Sequence, residues 1–552
     1  MIDRANLAVP TSTVVIDVFD DVPTLDPHRG AESASRHPIL NVYESLLGLD
    51  TTGHPFPRLA AALPRTERRG SEWEVFVPLR DDVRFHDGAA MTIDDVVYSL
   101  RRSMITSDMA ASLWADPLLG APVSRVDEES AIEMARRVTA ASGGVLLRMP
   151  APFSPLNALI VQWALVVRQS WCRDRGEWDG DLSSIARFLR PSSTALDSEC
   201  NGTGAYRLEF WNRASRELSF RRSEYGSDTD APERIVLRSV DDRTAREGDL
   251  LDGTCDFSVC QPESRERLGD LNGVVLEKLP EEWGVNPIAF INQRLDPGCE
   301  AVGSGRWGPD GLPPDAFSDV HLRRMLTLCF DHERYVAEAL DGEYLNHRPP
   351  FPAPALPPVT TPPAKLDIEA ARAEFEQAWD GQAARKGCRI VIYTHTANIS
   401  RQIAAELLAE GLRAVSRRIV VEIISLEIGP LMDVLYAGAA PVLWMGWAGD
   451  FLHPYAFASA LVDARAPLPA ALGINDPVVA QLVRSARVAK PEDETAIYER
   501  LAERVADEAL FLVPPGKVSY MTYSDRWEGV RLKNHVPNVL DFTSFRPRAT
   551  TR

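Results

Sequence analysis

Apolar and polar positions along the chain change period several times, and each change predicts an element. VVIDVF (14–19) has a strand pattern and leads through TLDP (24–27) into ILNVYESLLGL (39–49), where Leu40, Tyr43, Leu46 and Leu47 fall at helical spacing. WEVFVPL (73–79) reads as a strand. In the helix predicted for TIDDVVYSLRRSM (92–104), Thr92 stands at the cap, Asp94 and Asp95 complement the N-terminal dipole, and Val96, Leu100 and Met104 share one face. The clearest pattern spans 389–445. Strand-like RIVIY is followed by a helix from Ile399, strand-like IVVEIISL, a helix PLMDVLYAG with Pro430 in its first turn and Gly438 past its end, and strand-like PVLWM. This β-α-β-α-β order implies parallel strands with right-handed crossovers, whose ligands sit beyond the carboxyl ends of the strands. Trp447 and Asp450 lie at that place.

The apolar run 155–167 contains Asn157 and Gln162 and is well short of the roughly 20 residues of a membrane span, so it reads as a buried helix. The proline-dense segment 347–365 reads as a stiff crossing between elements, since patterned sequence resumes on both sides. No repeat of 20–50 residues is visible.

Composition narrows the function. A chain of 552 residues supports two to four domains, and its 45% hydrophobic content is that of a globular protein. The net charge of -19 leaves no basic stripe for nucleic acid. Six lysines (278, 365, 386, 490, 517, 533) among 60 basic residues leave arginine as the cation of this chain. Seven cysteines without a CxxC pair indicate buried thiols, not a disulfide framework or a zinc site. The N-terminus as written has no charged segment followed by an apolar core, hence no signal peptide.

Several stretches together resemble the family 5 extracellular solute-binding proteins, the peptide- and nickel-binding components of ABC importers. They are TLDP, VYESLLGLDTTGHPFPRLAAAL (42–63), LRDDVRFHDGAAMTIDDVVYSLRR (79–102), NGTGAYRLEFW (201–211), FSDVHLRRMLTLCFDHERYV (317–336) and GWAGDFLHPYAF (446–457). The resemblance runs from about residue 14 to 530, in order. It implies an α/β fold of the type II periplasmic-binding-protein kind, with two hinged lobes and an extra third lobe. Lobe I would comprise 1–50, 200–280 and 516–552; the extra lobe II, 51–199; the ligand-binding lobe III, 281–515. It also implies a monomer that carries a peptide or other amine-bearing solute to a membrane permease, in the cell envelope. If Met1 is the true start, a cytoplasmic descendant acting as an enzyme or sensor is the alternative. No GxSxG, HExxH or Walker loop supports an enzyme, and no cofactor is expected.

In the peptide-binding members that GWAGDF resembles, the acid at the place of Asp450 receives the ligand's ammonium and the tryptophan at the place of Trp447 lines the pocket. Read from the residues alone, the same pair would be a strand-end cap and a core tryptophan. The expected ligand contacts are Asp450, Trp447, Gly446, Trp444, His395 and Tyr43. Dipeptide-specific relatives carry an arginine in the loop after the RIVIY strand; here THTANIS (394–400) has none before Arg401. That argues against a tight clamp on a dipeptide's carboxylate and for a longer peptide or another ligand. No His/Cys cluster argues for nickel. FHDG (85–88), which pairs His86 with Asp87, is expected to be a turn. NGTGAY (201–206) lacks the GK[ST] of a phosphate loop, and Gly202, Gly204 and Tyr206 are expected at the hinge, with glycine supplying backbone freedom.

Overall fold

The computed structural model describes residues 12–548 apart from positions 51, 124, 226–229, 261–263, 270, 280, 360–361 and 537–538. The export-signal reading rests largely on residues 1–11, which lie outside the described residues. The chain divides into two compact units, residues 1–280 with 519–552 (unit 1) and residues 281–518 (unit 2).

Unit 1 is built on a seven-stranded sheet in which Thr13–Val18 lies between two parallel neighbours, Phe257–Cys260 and Arg234–Ser239. A central parallel strand is covered on its faces, which is why Val14 and Ile16 are fully buried. Residues 65–149 contribute a separate four-stranded antiparallel sheet that includes Glu72–Pro78, the strand read from WEVFVPL. Beside it the helix Ile93–Thr106 begins with a capping box: Thr92 Oγ1 accepts from Asp95 N at 3.1 Å, and the Asp95 carboxylate accepts from Thr92 N at 2.9 Å. Val96, Leu100 and Met104 are buried on one face, as their spacing predicts.

The periodicity around Tyr43 misleads. The helix there is Ser33–Val42; Tyr43 is already extended (φ −112°, ψ 153°), and Leu47–Leu49 pairs with Pro55–Pro57 as a hairpin. Leu46 and Leu47 are buried in either arrangement, so their spacing alone cannot choose, and strand pairing decides. The run 155–167 holds only a short helix, Leu156–Trp163, with Leu159 and Ile160 fully buried.

Four of the sequence stretches that stand apart in the chain meet here in pairs. Asp26 of TLDP and Arg102 of SLRR form a fully buried bidentate ion pair, with Arg102 Nη1 at 2.9 Å and Nη2 at 2.6 Å from the two carboxylate oxygens. Thr194 Oγ1 donates to the same carboxylate, and Glu177 takes a further bond from Arg102. Burial alone would raise the Asp26 carboxyl, but the Arg102 charge and hydrogen bonds outweigh it and hold Asp26 far below the usual carboxylate range. FHDG and NGTGAY form the second pair. The His86 ring meets Gly204 O at 2.8 Å, its backbone N–H donates to Gly202 O at 2.9 Å, and Asp87 accepts from Asn201 and Arg168.

Gly202, Gly204 and Tyr206, the residues expected at the hinge, are closely packed. All three lie inside unit 1. Neither glycine has positive φ; instead a Cβ on Gly202 would come within 2.0 Å of Val42 O, and one on Gly204 within 2.5 Å of Asn41 O. They permit close backbone approach to the end of the Ser33–Val42 helix. Tyr206 is fully buried, donates to Pro232 O at 2.7 Å and packs edge-on against Phe542.

In unit 2 the five-stranded sheet has the order Ile419–Leu426, Cys388–His395, Val442–Ala448, Gly284–Ile291, Phe511–Leu512, and its first three strands are parallel. These are the strands of the predicted β-α-β-α-β, joined by the helices Ile399–Val415 and Ile428–Tyr436. Gly438, at φ +65°, takes the left-handed conformation that ends the second helix.

Removing one partner of a buried ion pair leaves an uncompensated charge, typically at about 3–5 kcal/mol. Arg102→Met should destabilise unit 1 by that amount in urea denaturation; a change within experimental scatter would mean that the pair is dispensable. Acid should act through His28. Its Nδ1 faces Arg102 Nη1 at 3.0 Å and its Nε2 faces Leu165 O at 3.0 Å, an arrangement suited to a neutral ring with Nε2 protonated. Burial first, and the Arg102 charge second, hold it down at about 4. Between the usual value near 6.5 and about 4 the unfolded chain binds the proton and the folded one does not, so stability falls as pH falls through that window. The urea midpoint should drop from pH 7 to pH 5, and drop less in His28→Gln; equal slopes in the two proteins would remove His28 as the cause.

Candidate functional site

The carboxyl ends of the parallel strands in unit 2 bring together residues from three segments: 393–401, 427–436 and 444–450. Asn398 caps the Ile399–Val415 helix by accepting from Arg401 N at 3.0 Å, which fixes Arg401 in the first helical turn beside the end of Cys388–His395. Arg401 Nε donates to Asn286 Oδ1 at 3.0 Å, and no carboxylate pairs with the guanidinium among the described residues. Burial pulls it down from its ordinary value to about 10. A half-buried cation with one neutral partner is an incomplete arrangement, since an opposite charge is what makes such burial tolerable.

Gly446 makes room for it. A Cβ at that position would lie 2.7 Å from Arg401 Nη2 and 2.9 Å from Asn286 Oδ1. His395, at the end of its strand, is held below the usual imidazole value by burial first and by the Arg401 charge second. The Tyr335 hydroxyl is buried nearby, beside Ser400; burial raises its pKa, while the Ser400 hydroxyl and then the Arg401 charge oppose that rise.

Asp450 marks the other pole. It follows the Val442–Ala448 strand in a half-buried turn, and its charge, after burial, raises the pKa of Tyr436 at the end of the Ile428–Tyr436 helix. Trp447 pairs with Val285 at the strand's last paired positions; its ring is half-buried, and its Nε1 is enclosed with no hydrogen-bond partner. Strand alternation separates it from Trp444, which points the other way. Trp444 is fully buried in the core of unit 2 and packs against Phe330 at a ring distance of 5.6 Å. It is a core residue, because a strand buried on both faces gives its central positions no access to solvent.

Four of the expected contacts, Asp450, Trp447, Gly446 and His395, thus stand at one end of one sheet. Trp444 is inside that sheet's core. Tyr43 belongs to unit 1 and is 1% exposed, its hydroxyl buried without a partner. The residues that periodicity does not single out are Arg401, Asn286 and Tyr436. Arg401 carried a usable signal: an Asn cap directly after a strand-end loop places the third helical residue at the ligand end of the sheet. Among the described residues no group of three or more His, Cys, Asp or Glu is placed to hold a metal, and no helix is long and apolar enough to cross a membrane.

Residues 54–466 match the family of bacterial extracellular solute-binding proteins, family 5. The chain is 22% identical over 541 residues to the periplasmic oligopeptide-binding protein OppA of Escherichia coli (strain K12), covering 91% of this chain and 86% of that one. Its fold is similar to that of the periplasmic binding protein DppA from Helicobacter pylori in complex with the peptide STSA, with a TM-score of 0.72, 16% identity, and coverage of 97% and 98% of the two chains. It is also similar to NikZ from Campylobacter jejuni in complex with Ni(L-His), with a TM-score of 0.70, 14% identity, and coverage of 98% and 100%. The α/β periplasmic-binding-protein architecture read from the sequence is the architecture of these proteins.

Trp444→Ala should cost unit 2 about 3–5 kcal/mol, the usual range for truncating a buried tryptophan. Chemical denaturation checks this, and a loss below about 1 kcal/mol would return Trp444 to the list of exposed contacts.

Proposed function

The chain belongs to the family 5 bacterial extracellular solute-binding proteins, and from that premise we propose that it is the substrate-binding component of an ABC importer that takes up a peptide. The reading rests on one observation, the two opposite charges at the strand ends of unit 2. Asp450 is the anion there, and Arg401 is a desolvated cation without an anionic partner among the described residues. A peptide with free termini supplies the complement of both. Its ammonium meets Asp450, its carboxylate meets Arg401, and Trp447 and Tyr436 offer aromatic surface beside them. Buried charge-assisted bonds of this kind are stronger and more specific than neutral ones.

The loop without an arginine is therefore no obstacle to carboxylate recognition, because the first turn of the next helix supplies one. The protein holds and delivers its ligand without transforming it. It works as a monomer in the cell envelope and hands the solute to a membrane permease. Binding and release are governed by the ligand's differential affinity for open and closed states.

Truncating one member of a buried charge pair typically costs about 2–5 kcal/mol, or roughly 30-fold or more in affinity. Asp450→Ala should lose that much for a free peptide, and N-acetylation should then cost the mutant far less than it costs the wild-type protein. Arg401→Met and C-terminal amidation should behave as the second such pair. Titration calorimetry on the variants and blocked peptides closes both cycles. Strictly additive losses in both would show that neither residue holds a terminus.

A further inference from the structure

A cavity of about 890 Å³ lies within unit 1, inside the range of about 300–1,000 Å³ usual for ligand pockets. Its floor is apolar: Leu40, Leu47, Leu279, Met521 and Val530 each keep less than a tenth of their surface exposed. Four acids and four bases also line it, and their pairing is unequal. Every acid is engaged. Glu44 accepts from Arg58 Nε at 2.6 Å, Asp541 from Lys533 Nζ at 3.1 Å, and Glu277 from the Tyr523 hydroxyl at 2.6 Å. Asp50 closes its own turn, accepting from Thr52 N at 2.8 Å and His54 N at 3.0 Å. Of the bases, Lys278 and Arg531 have no carboxylate partner among the described residues.

The lining is formally neutral, but its acids accept hydrogen bonds while the donors of Lys278 and Arg531 have no carboxylate partner among the described residues, and an apolar floor edged by two such cations suits a particular chemistry. We propose that this cavity binds an acyl-chain amphiphile with an anionic head, its chain along the leucine, methionine and valine floor and its carboxylate or phosphate against Lys278 and Arg531. A peptide is the poorer fit, since its backbone N–H and C=O groups would meet the apolar floor without hydrogen-bond partners. The site is separate from Asp450 and Arg401, which belong to unit 2, so it stands whether or not the peptide reading does.

Lys278 and Arg531 are solvent-exposed, so reversing their charge should leave the fold intact, which circular dichroism of the variant checks. Titration calorimetry on the full chain at low ionic strength, below micelle formation, would compare dodecanoate, dodecyl phosphate, dodecanol and dodecyltrimethylammonium. Dodecanoate or dodecyl phosphate should bind one to one, and the tighter of them identifies the head group. The alcohol and the cation should bind at least tenfold more weakly. K278E/R531E should weaken the anion at least tenfold, and Asp450→Ala should leave it unchanged. Shortening the chain by two carbons should cost roughly 15-fold, since each buried methylene is worth roughly fourfold. The proposal falls if no anion binds, if the alcohol binds as tightly, if charge reversal has no effect, or if Asp450→Ala abolishes binding.

Discussion

The buried pair between Asp26 and Arg102 is the contact on which unit 1 depends. Both side chains are fully enclosed, and taking two ions out of water costs several kcal/mol each unless geometry and further hydrogen bonds compensate. Here they do. The guanidinium meets both carboxylate oxygens and also reaches Glu177 and His28, while the carboxylate takes a hydroxyl from Thr194 and the backbone N–H of His28. The pair ties the loop after the first strand to the helix Ile93–Thr106, and so fixes the antiparallel sheet region onto the seven-stranded one. His28 completes the arrangement only as a neutral ring, because a protonated Nδ1 would face a guanidinium.

Around that contact, unit 1 is assembled from segments far apart in the chain, and the closures are backbone-directed. The Asn41 side chain donates to Leu540 O and accepts from Phe542 N, bonding the C-terminal segment to the first helix. Gly202 and Gly204 let a third segment run against the same helix end at distances that no side chain would permit. Asp256 gathers Val15 N, Arg526 and Trp527 Nε1 in the same manner. Such polar closures specify one arrangement more sharply than apolar burial, since each leaves a costly orphan if the register slips.

Unit 2 uses the opposite economy at its strand ends. Elsewhere in the unit, buried or half-buried arginines such as Arg504 and Arg323 are matched with acids, Asp476 and Glu508. Among the described residues the Arg401 guanidinium is held by Asn286 alone, on a helix start whose own dipole adds positive potential. Parallel strands with helical crossovers place helix starts and strand ends at one edge, so an unmatched cation and an acid come to stand there together. Gly446 keeps that edge open to the arginine.

Much of the architecture was legible in the chain itself. The 389–445 pattern gives three parallel strands and two helices because period 2 and period 3.6 are local properties set by which side chains must be covered. The capped helix after Thr92 is equally local, and the stretches resembling a known family pointed to its fold. Tertiary structure decided the rest. Whether Leu46 and Leu47 lie on a helix or in a hairpin depends on a partner strand, and Trp444 and Trp447, three residues apart, take opposite fates because only packing says where a strand leaves the core. The carbonyl oxygens against which Tyr206 and the two glycines pack come from segments distant in the chain. For Arg401 the Asn cap marks its place in a first helical turn, but not its pairing. Its lack of an acid is a fact about three-dimensional neighbours, and desolvation, unlike periodicity, has no one-dimensional trace.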